Sequence, residues 1–220
     1  MKLNALLLTV SLGLAATPGA WAYPDSTLYN NLGNVQFSGM EAAGNTWQAS
    51  KFTTDGNNYL LESVVLLMAQ SGESTARLDI YSNYGDVPET SVPGTSLGTL
   101  THSGSFSDWD TFTEATFTPT GIISLSANSS YWVVLQGVTG SLWWSYTEDG
   151  TGIGPGFSKL YTISENAGNN WDLPADTMPN QMQVNATLAA VPEPSQWAMM
   201  GVTALGVTGY ALRRRLAKTN

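Results

Sequence analysis

Between residues 23 and 190 the apolar side chains recur with a period of two. Met182, Val184, Ala186 and Leu188 alternate with Gln181, Gln183, Asn185 and Thr187; Ala76, Leu78 and Ile80 alternate with Arg77, Asp79 and Tyr81. Side chains that change face at every step are those of a β-strand with one face buried. The runs 63–68 and 131–135 are apolar throughout and of strand length, as expected for strands covered on both faces. Further strands are predicted over 111–117, 121–125, 140–146 and 159–163. Clusters of Gly, Asn, Asp and Ser at 55–58, 70–72, 84–86, 126–130 and 165–170 predict the turns between them. No window in this stretch has the 3.6-residue spacing of an amphipathic helix. Eight to ten short strands separated by such turns predict an all-β fold, a single antiparallel β-sandwich of jelly-roll type. The absence of an internal repeat argues against a propeller or a β-helix.

The two ends follow a different pattern. Lys2 precedes an apolar run over 3–16, then a Pro18-Gly19 break, then Ala20-Trp21-Ala22. A positive start, a short apolar segment and small residues at Ala20 and Ala22 predict a secretory signal peptide, 1–22, cleaved after Ala22. At the other end Val191-Pro192-Glu193-Pro194-Ser195 leads into an uncharged run over 197–212, followed at once by Arg213-Arg214-Arg215. Sixteen helical residues span roughly 24 Å, short of the ~30 Å hydrocarbon core unless flanking residues and local thinning help, and a short transmembrane helix is expected on those terms. Gly201, Ala204, Gly206 and Gly209 give it a small-residue face. The arginines behind it predict a cytoplasmic C-terminus, with 23–190 on the far side of the membrane.

A Pro-Glu-Pro triplet, a short glycine-containing apolar helix and a terminal arginine cluster, in that order, resemble the PEP-CTERM sorting signal of Gram-negative bacteria. The resemblance covers 191–220 and rests on Val191, Pro192, Glu193, Pro194, the helix 197–212, and Arg213, Arg214 and Arg215. It implies an exosortase-type processing enzyme as partner, a precursor anchored in the inner membrane by the C-terminal helix, and a mature domain at the cell surface or outside the cell. It also implies a link to exopolysaccharide and biofilm material. The middle of the chain resembles the choice-of-anchor domains, subgroup R. The matching segments are Phe52-Thr53-Thr54-Asp55, Tyr59 to Val64, Leu78-Asp79-Ile80-Tyr81-Ser82, Val87-Pro88, Val92-Pro93-Gly94, Leu97-Gly98 and Leu125 to Leu135. That likeness implies a β-sandwich and an extracellular place, and no activity.

Composition narrows the chemistry. The 220 residues include no cysteine and one histidine. Thiolate nucleophiles, disulfides and Cys-ligated metals are thereby excluded, and a Ser/His/Asp triad could draw only on His102, which stands in a turn context as a lone surface histidine. Charged residues make up 11%, against ~25% in an average soluble domain. Segment 23–190 holds three basic residues (Lys51, Arg77, Lys159) and 16 acidic ones, a difference of −13. Such a charge repels phosphate backbones, so nucleic acid is not an expected partner.

Tryptophan is the other distinctive count: eight in the chain, six of them in 23–190. A flat indole on a rigid sheet suits a sugar ring, which makes Trp109, Trp143, Trp144 and Trp171 candidate carbohydrate-binding residues. Trp143 and Trp144 are consecutive on a predicted strand, so one of them faces the core and the other an outer surface. Asp108-Trp109-Asp110 with Glu114, and Glu148-Asp149, are the densest carboxylates. Asp108 and Asp110 are candidates for holding Ca2+, and otherwise no metal or cofactor is expected. Paired carboxylates could also hydrolyse glycosides. Asp55-Gly56-Asn57-Asn58 resembles a calcium loop in composition alone, and the glycine-rich 150–156 reads as a flexible surface loop that lacks the ending of a phosphate loop. The leading expectation is a non-enzymatic exported surface or matrix protein. The alternative is a carbohydrate-binding module, and a glycoside hydrolase comes third.

Overall fold

The alternating pattern becomes ten strands, with no α-helix among the described residues. In this computed structural model the described residues are 26–85, 87 and 90–189. The expected signal peptide with Ala20 and Ala22 lies outside them, as do Val191 to Pro194, the 197–212 helix and Arg213 to Arg215. No helix among the described residues is long and apolar enough to cross a membrane. The strands are β1 (Ser26–Asn30), β2 (Ser38–Ala42), β3 (Trp47–Thr53), β4 (Tyr59–Tyr84), β5 (Val92–Thr101), β6 (Thr113–Pro119), β7 (Ser124–Leu125), β8 (Ser130–Tyr146), β9 (Tyr161–Ser164) and β10 (Met182–Leu188). Their pairings are antiparallel. The main path of the sheet runs β1-β10-β4-β8-β3-β9; β2 pairs with β8, while β5, β6 and β7 pair with β4.

The expected strands 63–68 and 76–81 are one strand, the 26-residue β4. The Gln70-Ser71-Gly72 cluster does not turn, because its backbone stays paired across the sheet: Gln70 opposes Leu142, Ser71 opposes Ser141, and Thr75 opposes Thr139. Register shifts between Ser71 and Ala76 absorb the extra residues as a bulge, which bends a strand without ending it. On the partner, 131–135 and 140–146 likewise fuse into β8. Gly140, in the left-handed region at φ 65°, accommodates the bend, and a Cβ there would lie 2.2 Å from Ser74 Oγ.

The bend lets the sheet curl over its own core. Residues 59–68 of β4 pair with β10, β6 and β7, and residues 68–84 with β8 and β5. Leu61, Val64, Leu66 and Met68 from the first half meet Leu78 and Ile80 from the second, together with Val133, Leu135, Leu142 and Trp144 of β8, in one buried cluster. Strand β10 shows the expected alternation: Met182, Val184 and Ala186 are buried, while Gln183 and Asn185 are half-exposed. Residues 131–135 are covered on both faces, as their unbroken apolar run requires. Tyr131, Val133 and Leu135 enter the main core, and Trp132 and Val134 form a second cluster with Ala49, Trp47, Tyr81, Leu160 and Trp171.

The buried carboxylate of β4 is matched by donors. Asp79 is fully buried, 3.0 Å from Arg77 Nε, and accepts from Gln136 Nε2 at 2.9 Å. Removing either donor would leave a charge in a poorly solvating interior. The glycine-rich segment 150–156, expected as a flexible loop, is fastened to β1 and β3 instead. Asn30 and Ile153 exchange two backbone bonds of 2.9 Å, and Gly156 bonds Leu28 at 2.7 Å and Thr53 at 3.0 Å.

Candidate functional site

The site is built where the end of β8 meets β2 and the loop between β5 and β6. Along β8, Trp144 and Trp143 point to opposite faces. Trp144 is fully buried, and its Nε1 donates to the Gln181 carbonyl at 2.9 Å. The structure therefore removes Trp144 from the candidate sugar platforms: the other half of the sheet curls over its face, and its one polar atom is taken. Trp143 lies on the outer face, flanked by Glu41 of β2 and Ala69 of β4 at the same register level. Cross-strand neighbours share a face, so the exposed Glu41 carboxylate and the Trp143 indole stand on one surface.

Trp109 reaches that surface from the β5–β6 loop. Phe106 anchors the loop in the core. Gln70 N donates to Ser107 O at 2.7 Å, and the Ser107 and Thr113 hydroxyls meet at 2.8 Å where the loop closes. Thr111 N donates to Asp108 O at 2.9 Å, closing a tight turn with Trp109 and Asp110 at its two central positions. The turn holds Trp109 outward, with 66% of its surface exposed.

Next in the loop, Phe112 lies against the β2 backbone. A Cβ on Gly39 would come within 2.6 Å of Phe112 Cζ and 3.3 Å of Trp143 Cβ, so a ring can rest there only on glycine. From the β1–β2 connection comes Phe37, 58% exposed, with its ring 5.8 Å from that of Tyr146 and its N–H donating to Tyr146 O at 2.9 Å. These aromatics and Gln36, Ser38 and Asp110 enclose a cleft of about 470 Å³. Trp143 Nε1 is buried without an acceptor, which leaves a donor desolvated beneath the cleft floor.

Of the expected candidates, the structure brings Trp109, Trp143 and Asp110 together. Trp171 stands apart, packed half-buried on the second apolar cluster with Trp132 and Ala49. Asp110 is the one carboxylate among the residues lining the cleft. Glu148 and Asp149 belong to a separate turn, where the Asp149 side chain accepts from Thr151 N at 2.9 Å and its carbonyl accepts from Asn34. Glu114 is exposed on β6, opposite Leu67. Among the described residues no three His, Asp or Glu side chains gather as a metal site, and the Asp55 carboxylate accepts from Asn57 and from the Tyr59 hydroxyl at 3.0 Å.

His102 is not the lone surface histidine its turn context suggested. It stacks on Phe106 at 4.9 Å and packs on Phe117 at 5.4 Å, with Nδ1 2.8 Å from Thr116 O. It closes the core at the base of the loop that carries Trp109. Sequence reasoning missed Gln36, Phe37 and Phe112. For Phe37 the available signal was an aromatic ring inside a polar, unpatterned stretch; Phe112 lay within the expected strand 111–117, out of phase with Ala115 and Phe117.

The three basic residues of 23–190 are all elsewhere. Arg77 is paired with Asp79. Lys159 lies beside Gly150. Lys51 Nζ donates to Ser91 Oγ at 2.8 Å, and the Ser91 hydroxyl in turn donates to Asn83 Oδ1, which also accepts from Trp132 Nε1 at 2.9 Å. Partial burial lowers the Lys51 pKa from its ordinary value. The cleft thus combines flat apolar surface, neutral hydrogen-bonding groups and a carboxylate. No known protein-family model matches this chain, and no curated protein matches it.

Proposed function

We propose that this chain is an exported, non-catalytic glycan-binding protein of the cell surface or extracellular matrix, and that the Trp109–Trp143 cleft is its binding site. The observation that carries the reading is the convergence of Trp109, Phe112, Phe37 and Trp143 on one cleft beside Gln36, Ser38 and Asp110. Mostly apolar walls with a few polar groups are the usual make-up of a small-molecule site. An exposed indole on a hydrogen-bonded turn supplies stacking area without having to be ordered on binding. Two carboxylates facing each other across the bond to be cleaved would be needed for hydrolysis, and the cleft lining contains Asp110 alone.

The rest of the reading comes from the chain ends and the strand pattern. The curled sheet with one core between its halves is consistent with a jelly-roll-like sandwich of choice-of-anchor type. The 1–22 and 191–220 segments support export, insertion through a C-terminal helix, and recognition by an exosortase-type enzyme at Val191 to Pro194. An exopolysaccharide is then the glycan such a domain would meet.

Titration with a panel of neutral, acidic and amino polysaccharides, followed by tryptophan fluorescence, tests the reading. A saturable change with at least one glycan is expected, abolished in Trp109→Ala and retained in Trp171→Ala. No saturable response across the panel, or loss in both variants alike, would sink it.

A further inference from the structure

Resting on the glycan-binding reading, we infer that the cleft selects an amino-sugar polymer with free ammonium groups, in preference to neutral or uronic-acid glycans. Three observations meet here. Asp110 lines the cleft next to the exposed Trp109 indole; its carboxylate accepts from the Thr111 hydroxyl at 3.4 Å, and among the described residues no cation is paired with it. The exposed Glu41 carboxylate stands beside Trp143 on the same face. Arg77 and Lys51, among the basic side chains of the described residues, are engaged elsewhere, Lys159 lies beside Gly150 away from the cleft, and segment 23–190 carries a charge of −13.

An indole face attracts a cation through its quadrupole, and a carboxylate at the edge of the same cleft supplies a charged acceptor for it. Together they make a site for a protonated amine on a ring. The same carboxylates repel a uronate or a sulfate ester. An N-acetylated sugar would keep the stacking and forfeit the charge term.

The experiment compares a glucosamine hexamer with its fully N-acetylated counterpart, on the full-length protein in detergent, by tryptophan fluorescence near pH 6 where the amines are charged. The amino hexamer is expected to bind about tenfold more tightly. The advantage should shrink to about twofold or less near 0.5 M salt, where charges are screened within a few ångströms. Asp110→Asn, isosteric and at an exposed position, should remove the preference for the amino hexamer over the acetylated one; Asp110→Glu should restore it. Equal affinity for the two hexamers, or an Asp110→Asn variant that keeps the preference, overturns the inference and leaves glycan binding standing. A lysine hexapeptide binding as tightly as the amino hexamer also overturns it, since charge alone would then suffice. No binding of either hexamer or of any neutral glycan overturns the glycan reading itself.

Discussion

Trp144→Ala and Trp109→Ala remove the same side chain from opposite environments, and the structure assigns them very different costs. Trp144 is fully buried. Burying an indole removes roughly 200–250 Å² from water, worth ~5–6 kcal/mol at ~25 cal/mol per Å². Allowing for surface already buried in the unfolded chain lowers this to ~3–5 kcal/mol, the range typical of large aromatic truncations. Losing the bond to the Gln181 carbonyl adds about 1 kcal/mol, for a total of about 4–6 kcal/mol. Domains of this size have ~5–15 kcal/mol in all, so Trp144→Ala should leave the fold close to its limit. Trp109 is 66% exposed; the remaining third of its surface is worth at most ~2 kcal/mol by the same reckoning. Urea unfolding followed by circular dichroism reads both. With a slope of about 2 kcal/mol per M, Trp144→Ala should lower the midpoint by roughly 2–3 M and Trp109→Ala by less than about 1 M. Equal shifts in the two variants, or a Trp144→Ala midpoint within about 0.5 M of the parent, would refute the assignment of Trp144 to the core and of Trp109 to an exposed turn.

Two further outcomes follow from the bent strands and the buried phenols. Gly140→Ala forces a left-handed backbone onto a residue with a Cβ, costing ~1–2 kcal/mol, and places that Cβ 2.7 Å from Glu73 O. A loss of more than about 2 kcal/mol in urea unfolding is expected, and a loss under about 1 kcal/mol would mean that β4 and β8 do not bend together there. Tyr29 is fully buried, and desolvation raises its pKa well above the ordinary phenol value; Tyr59 and Tyr81 shift in the same direction, also chiefly by burial. Above about pH 10 the unfolded chain releases a proton that the folded chain keeps, so stability falls with pH by up to ~1.4 kcal/mol per unit for a buried tyrosine. Lys51, lowered by burial, acts oppositely just below that window: the unfolded chain holds its proton longer, and stability rises with pH. Tyr29→Phe should flatten the alkaline fall, and an unchanged slope would show that Tyr29 is not the group responsible.

Much of the fold was legible because alternation is a local property. Strand β10 and the doubly covered 131–135 were readable from their own residues. The strands β1, β2, β3 and β5 were missed for identifiable reasons. In β3 the polar Gln48 and Ser50 are buried between neighbours on both sides, which hides the pattern. In β5, Pro93 and Gly94 read as a turn; Pro93 is tolerated because β5 pairs with β6 only near Leu100 and Thr101, so at Pro93 it is an edge. At the candidate site, Trp109, Trp143 and Asp110 were visible as residue types. Their convergence with Phe37 and Phe112 was not, because three loops and strands distant in sequence supply them.

The sequence by itself determined that the middle of the chain is β-structure, that it is acidic with almost no cations, and that cysteine chemistry is absent. These follow from composition and from the pleat, which each residue carries with it. Only the tertiary structure decided that 70–72 continues a strand, since pairing with β8 outweighs turn propensity there. Only it decided that Trp144 is core and Trp143 faces the cleft. The pleat dictates that the two side chains diverge; which one is buried depends on which face the rest of the sheet curls over to cover.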